Sequence, residues 1–178
     1  MQYFITGASG FIGKRLVKKL LERKGTTVYF LMREASADKA KALREYWGVK
    51  ADRAIAVSGD LTSSKLGIEK ATLKSLVGEI DHFFHLAAIY DLKADEESQI
   101  AVNNDGTKHA VQVANEIKSG CFHHVSSIAA AGMYEGVFRE DMFDEAEGLD
   151  HPYFATKHES EKIARTQCKG AWRVYRPG

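Results

Sequence analysis

The sequence predicts an α/β fold: a doubly wound parallel sheet of about six strands with helices on both faces. Three observations predict it. Short β-rich runs alternate with longer stretches of helical periodicity along all 178 residues. A glycine-rich turn, Thr6-Gly7-Ala8-Ser9-Gly10-Phe11-Ile12-Gly13, separates the first run from the first helix. Length and composition suit one globular domain, with 44% hydrophobic and 28% charged residues.

Residues 2–6 (QYFIT) read as a buried strand. From Phe11 to Arg23, Ile12, Leu16 and Leu20 recur at every fourth position beside Val17 and Leu21, which gives a helix one apolar face. Residues 27–33 (TVYFLMR) form the second strand, and Ala37 to Trp47 a helix charged on its outer side. Ala54 to Val57 is a short strand ending at Gly59-Asp60. Residues 65–78 carry weaker helical periodicity, and Ile80 to Ala87 form a buried strand. Val102, Val113 and Ile117 place a helix over 97–118, and Cys121 to Ser127 form the fifth strand. Residues 128–150 are irregular, with Gly132, Gly136, Gly148 and several acids. Tyr153 to Cys168 read as a helix, and Trp172 to Tyr175 as a final strand running into Arg176-Pro177-Gly178. Parallel strands joined by right-handed crossovers give a Rossmann-like arrangement.

Composition removes several function classes. The net charge is +1, from 25 basic and 24 acidic residues, so there is no electrostatic case for a nucleic-acid or membrane-surface binder. No apolar run approaches the ~18 residues of a membrane-spanning helix. The opening residues turn glycine-rich too soon for a signal peptide. Two cysteines, Cys121 and Cys168, exclude a disulfide scaffold and a four-cysteine zinc site. The expected location is cytoplasmic.

Glycines at a strand-to-helix turn let backbone N–H groups approach a phosphate, and the helix N-terminus adds partial positive charge at the same place. Gly7, Ser9, Gly10, Phe11, Ile12 and Gly13 are therefore candidates to hold a dinucleotide pyrophosphate. The spacing is G-x-x-G-x-x-G rather than G-x-G-x-x-G, so its context carries the reading. The bland alternative is a tight turn with no ligand. An NAD site usually ends its second strand in Asp or Glu, which bonds the ribose 2′-hydroxyl. Here Arg33 comes first, and a guanidinium suits a 2′-phosphate. NADP is the expected cofactor, with Lys14 and Arg15 close to the turn. The alternative leaves Arg33 solvated and gives the ribose to Glu34. Asp60-Leu61, after strand three, stands where a loop can flank adenine.

Tyr153 and Lys157 are four residues apart on one helix face. A neighbouring ammonium stabilises a phenolate, so such a tyrosine exchanges a proton with a carbonyl or alcohol. Ser126 and Ser127 end a strand at the edge where open α/β sheets bind ligands. A Tyr-x-x-x-Lys spacing alone is common; its joint occurrence with the glycine turn and the serine pair is specific.

Together with Asp60-Leu61, His85-Leu86-Ala87-Ala88, Asn103-x-x-Gly106-Thr107 and Arg176-Pro177-Gly178, these motifs run in order along nearly the whole chain. In them the chain resembles an extended short-chain dehydrogenase/reductase. The strings GDLTSSKLGI, HLAAIYDLKADEE, HHVSSIAAAG, FREDMFDEAE and HPYFATKHESEK resemble the male-sterility-type fatty acyl-CoA reductases, above all the N-terminal reductase module of two-module enzymes from marine bacteria.

That resemblance implies Tyr153 as proton donor and acceptor, Lys157 as the group that activates it and bonds the nicotinamide ribose, and Ser127, the last serine of its run, as the holder of the substrate carbonyl. Asn103 would support the proton relay, Ala87 and Ala88 would line the cofactor path, and Pro177 would approach the nicotinamide. The implied activity is NADPH-dependent reduction of a fatty acyl-CoA or long-chain fatty aldehyde, a small-molecule substrate. In the family the substrate-binding part is largely built after the Arg-Pro-Gly motif, and this sequence stops on it at Gly178. The expectation is a nucleotide-binding unit over 1–178 that lacks most substrate-pocket walls, whose exposed apolar surface favours homo-oligomers.

Other residues are expected to be structural. His82, His85, His123 and His124 lie in strands without a helical zinc motif, so no metal is expected. Neither cysteine is placed as a nucleophile. Acidic residues do not follow Ser127, which favours hydride transfer over elimination. The acids of 139–147 lack calcium-loop spacing. The rival readings are a nucleotide-sugar epimerase or hydroxysteroid-type enzyme, and a non-catalytic NADP-binding module.

Overall fold

Strand β1 (Gln2–Thr6) forms the centre of the molecule because both its faces are apolar. Phe4 points to one side and Tyr3 and Ile5 to the other, and all three are buried. The computed structural model of the chain describes residues 1–89 and 95–178. In it β1 is followed by α1 (Phe11–Leu21), β2 (Thr27–Met32), α2 (Ala37–Trp47), β3 (Ala54–Ser58), α3 (Lys70–Ser75) and β4 (His82–His85). Then come α4 (Glu96–Gln99), α5 (Gly106–Glu116), β5 (Cys121–Val125), α6 (Pro152–Gln167) and β6 (Ala171–Tyr175). The six strands form one sheet in the order β3-β2-β1-β4-β5-β6, and every pairing is parallel. The order reverses between β1 and β4, which is where a doubly wound sheet opens a crevice at its carboxyl edge.

Each face has its own core. On one, α1 and α2 bury Val17, Leu20, Leu43 and Trp47 against Tyr3, Ile5, Val28 and Phe30. On the other, Phe4, Phe83 and Phe122 form a row across β1, β4 and β5, with ring centroids 4.7 and 5.5 Å apart. Val111, Ala114, Ile117 and Ile163 of the second face cover that row. Burying each phenylalanine contributes about 2–3 kcal/mol.

Three elements depart from their sequence-based extents by more than a residue or two at one end. The helix expected over 65–78 reduces to α3, because Lys65 and Leu66 adopt left-handed backbone (φ 52° and 58°). That turn drops Leu66 fully into the core, a loop anchor that resembles helical periodicity. The strand expected over 80–87 pairs only through His82–His85. Ile80 enters the core before pairing begins, and the Leu86 amide turns to Thr6 O (3.2 Å) at the glycine turn. The helix expected over 97–118 is not uniform: residues Ile100–Asp105 form a π-helical stretch between α4 and α5. Residues 90–94, part of the HLAAIYDLKADEE string, lie outside the described residues.

A buried polar chain ties the glycine turn to this π-helical stretch. Thr107 Oγ1 donates to Asn103 O (2.6 Å), so it accepts from His85 Nε2–H (3.0 Å). His85 Nδ1 then accepts from Thr6 Oγ1–H (2.7 Å). One neutral tautomer satisfies the whole chain. Burial, reinforced by the Lys157 charge, lowers the His85 pKa to about 3.

Candidate active site

At the carboxyl edge a cleft of ≈ 890 Å³ runs from the end of β2, across the glycine turn, to the ends of β5 and β6. Gly7, Ser9, Gly10, Phe11, Ile12 and Gly13 line its middle. Here glycine is required by geometry. A Cβ on Gly13 would stand 2.1 Å from Gly7 O, and one on Gly7 would stand 2.6 Å from the Ala87 amide nitrogen. Gly7 also has φ +73°. The turn therefore packs backbone on backbone and leaves its outer side open beneath the N-terminus of α1, a cradle that fits a dinucleotide pyrophosphate. Leu86, Ala87 and Ala88 form the adjoining wall.

The β2 end of the cleft is polar. Arg33, Asp60, Leu61 and Thr62 line it, joined by Ser36 and Lys39. Arg33 Nε lies 3.1 Å from Asp60 Oδ2. The Asp60 carboxyl is held below its ordinary pKa by hydrogen bonds from the Thr62 hydroxyl and amide, with the Arg33 charge adding to them. Arg33 and Asp60 were expected to serve phosphate and adenine separately; in the structure they also bind each other. Ser36 and Lys39 were not singled out from the sequence. Their signal was spacing, since Arg33, Ser36 and Lys39 recur every third residue into α2.

The opposite end holds Ser126, Ser127, Tyr153, Lys157 and Pro177. Tyr153 lies in the first turn of α6, where the His151 Nδ1 cap accepts its amide (3.1 Å). Lys157 is buried one turn later and reaches toward Val125 O (3.5 Å). Burial lowers its pKa to about 8, partly opposed by Glu161. The two serines differ in what their hydroxyls can do. Ser126 gives its proton to Glu161 Oε2 (2.8 Å). Ser127 Oγ accepts the Ala129 amide (3.1 Å), which leaves its proton free to donate into the cleft. Asn103 does not line the cleft. Its amide group binds both the N–H and C=O of Ile89 (2.8 and 3.1 Å) and reaches Thr156 Oγ1 (3.3 Å), so it acts behind the wall.

Glu161 was not singled out from the sequence, though it continues the spacing Tyr153, Lys157, Glu161, Arg165 along one helix face. It is fully buried, and Arg165 (2.9 Å) and Arg176 (2.6 Å) pair with its Oε1. Burial opposes its ionisation, but hydrogen bonds from Arg176 and Ser126 and the Arg176 charge outweigh that and hold its pKa below the ordinary value.

His82, Cys121 and His123 bring three ligand-type atoms within 4.8 Å of one another on the opposite sheet face. Three of their four ring nitrogens have protein partners: His82 Nδ1 meets His123 Nε2 (3.0 Å), and His123 Nδ1 meets the Tyr175 hydroxyl (2.9 Å). His85 and His124 are buried inside the sheet.

The family model described as "Male sterility protein" matches residues 5–178. Fatty acyl-CoA reductase 1 of Xenopus laevis is 31% identical over 142 residues, covering 71% of this chain and 28% of that protein. The terminal R domain from the myxalamid PKS-NRPS biosynthetic pathway superposes with a TM-score of 0.85 at 26% identity, over 99% of this chain and 49% of that one. UDP-glucuronic acid 4-epimerase from Bacillus cereus, solved with UDP-glucuronic acid and NAD, gives a TM-score of 0.77 at 23% identity, over 99% and 56%. The chain thus spans about a quarter of that curated reductase and half of these solved structures.

Proposed function

Because this chain belongs to the male sterility protein family, a group of NAD-binding reductases, we propose that it is the nucleotide-binding and catalytic part of an NADPH-dependent reductase acting on a fatty acyl-CoA or long-chain fatty aldehyde. One observation carries the reading: a single cleft has the glycine turn at its middle and Ser127, Tyr153 and Lys157 at its end. Gly7, Gly10 and Gly13 would hold the pyrophosphate, and Arg33, helped by Ser36 and Lys39, the 2′-phosphate. Asp60 and Leu61 would flank adenine, while Ala87, Ala88 and Pro177 would line the way to the nicotinamide. The bound cofactor supplies a hydride to the carbonyl carbon.

The chain's own residues manage the carbonyl oxygen. Ser127 donates a hydrogen bond to it, since Ser126 has spent its proton on Glu161. Tyr153 transfers its hydroxyl proton to that oxygen as negative charge develops there. Lys157, one turn along the same helix, stabilises the resulting phenolate and would bond the ribose. Asn103 supports the relay indirectly, by holding the Ile89 backbone. No helix among the described residues is long and apolar enough to cross a membrane. The proposed setting is cytoplasmic, with the substrate-binding part supplied by further chain beyond these 178 residues, as the partial coverage of its relatives supports.

Fluorescence titration with NADPH and, in parallel, NADH tests the cofactor reading. The expected result is tighter NADPH binding, with the preference reduced about tenfold or more in Arg33→Ala, the worth of a charge-assisted hydrogen bond. Equal or NADH-favouring binding overturns the Arg33 assignment and moves weight to the epimerase-type reading. Replacement of Tyr153 by Phe in an active, longer form is expected to lower turnover about 100-fold or more while cofactor affinity holds.

A further inference from the structure

The strand ends that carry Ser127 and Pro177 are fastened to each other and to α6 through one side chain. Ser127 is bracketed by two backbone hydrogen bonds to the 175–177 segment: Ser126 N–H to Tyr175 O (2.8 Å) and Ile128 N–H to Pro177 O (3.1 Å). The Ser126 and Arg176 side chains, one from each strand end, reach Glu161. Ser126 Oγ donates to its Oε2 at 2.8 Å. Arg176 spans both oxygens, with Nε 3.1 Å from Oε2 and Nη2 2.6 Å from Oε1. Arg165 holds Oε1 from one turn further along α6. The same Arg176 guanidinium donates to Arg139 O (3.2 Å) and Met142 O (2.7 Å), which straps the loop after β5 to this junction. Tyr153 and Lys157 stand on the helix that carries Glu161, two turns and one turn earlier respectively.

We infer that Glu161 is a positioning residue: its buried carboxylate locks the ends of β5 and β6 to α6 and so sets where Ser127 stands relative to Tyr153. The inference rests on the reductase reading for its consequence in turnover, and on geometry alone for the lock. A carboxylate suits the task because it accepts from the serine and both arginines at once and balances the guanidinium charge there. Glutamine offers one acceptor oxygen and turns an N–H₂ donor toward an arginine N–H, which can only donate, whichever way its amide is flipped.

The test compares wild type with Glu161→Gln and Ser126→Ala, each in the longer form that carries the substrate-binding part, by amide hydrogen exchange, NADPH titration and reduction of a fatty acyl-CoA and of a long-chain fatty aldehyde. In Glu161→Gln the Ser126 and Ile128 amides should exchange at least tenfold faster while those of β1 stay protected. NADPH affinity should stay within about threefold, and kcat should fall tenfold or more. Ser126→Ala removes one link and leaves the ion pairs; it should show a smaller kcat loss with an unchanged Tm and guards against a variant that simply unfolds. Unchanged exchange and kcat in both variants overturn the inference. So does exchange rising throughout the sheet in Glu161→Gln with NADPH affinity and kcat falling together, the pattern of general destabilisation, if Ser126→Ala leaves kcat intact. Should the wild-type longer form reduce neither a fatty acyl-CoA nor a long-chain aldehyde, the reductase reading fails by itself, and exchange at Ser126 and Ile128 still decides whether Glu161 is the lock.

Discussion

Lys157, in the role proposed for it, shows what a functional side chain costs its own fold. Its ammonium is buried, and burial lowers its pKa to about 8 from an ordinary 10.5. Below pH 8 the lysine is protonated in both the folded and the unfolded chain, and the fold carries the full penalty, on the order of 3 kcal/mol. Between pH 8 and 10.5 the unfolded chain binds the extra proton, so this penalty fades as pH rises. Lys157→Met should therefore be more stable than wild type in urea at pH 7, with its advantage shrinking by pH 10. An equal or lower midpoint at pH 7 would count against a charged, desolvated lysine. The grouping of candidate residues was legible at this scale where a residue type and a spacing coincide, as for Tyr153, Lys157 and Ser127, which line one end of the cleft. Glu161 was not, because its partners Ser126 and Arg176 lie 35 and 15 residues away in sequence and meet it only once the strands are in register.

Among the elements, the glycine turn tolerates little change. Gly13→Ala would drive a methyl group into the Gly7 carbonyl, and no flexible side chain is available to yield. A loss of about 3 kcal/mol and of NADPH binding is expected, read by thermal melting and titration. Gly170→Ala, whose Cβ would lie 3.7 Å from its nearest neighbour, should change neither. Element prediction succeeded where period and burial agree. Helix α2 occupies Ala37–Trp47, as its pattern indicates, because Ala40, Leu43 and Trp47 all face one core. It failed where a loop plants an apolar anchor, as at Leu66, or where one helix changes its winding, as at Ile100–Asp105. Neither feature alters hydrophobic content, so neither leaves a periodic trace.

For the molecule as a whole, the parallel, doubly wound sheet follows from alternation and handedness rules, while the order of its strands is supplied by the structure, and the relation between its two cores follows from that order. Acid should undo this arrangement earlier than its carboxylates alone would require. His85 is neutral with a pKa near 3, and burial holds His124 well below its ordinary value. As pH falls through 6.5 the unfolded chain protonates these rings and the folded chain does not, so each removes about 1.4 kcal/mol per pH unit. Urea midpoints should drop steeply between pH 6.5 and 4.5; a flat profile would contradict neutral, enclosed histidines. The outer strand β6 leaves Trp172 and Tyr175 partly exposed at a sheet edge. Sedimentation velocity should show self-association that rises with concentration and weakens in Trp172→Ser.

The loop between β5 and α6 begins and ends at one place. Gly132 bridges Glu147, the Met133 amide donates to Glu147 O (2.6 Å), and the Glu147 amide returns to Ala131 O (3.3 Å). A Cβ at Gly132 would meet that same Glu147 oxygen, so the clasp depends on glycine. A segment whose ends are pinned together can be lengthened cheaply, since each doubling of a closed loop costs only about 0.6 kcal/mol. Between that clasp and the Arg139 and Met142 carbonyls held by Arg176, residues 135–137 are thus the place where inserted or grafted sequence should be absorbed with the sheet undisturbed, and where lineages of this fold have room to diverge.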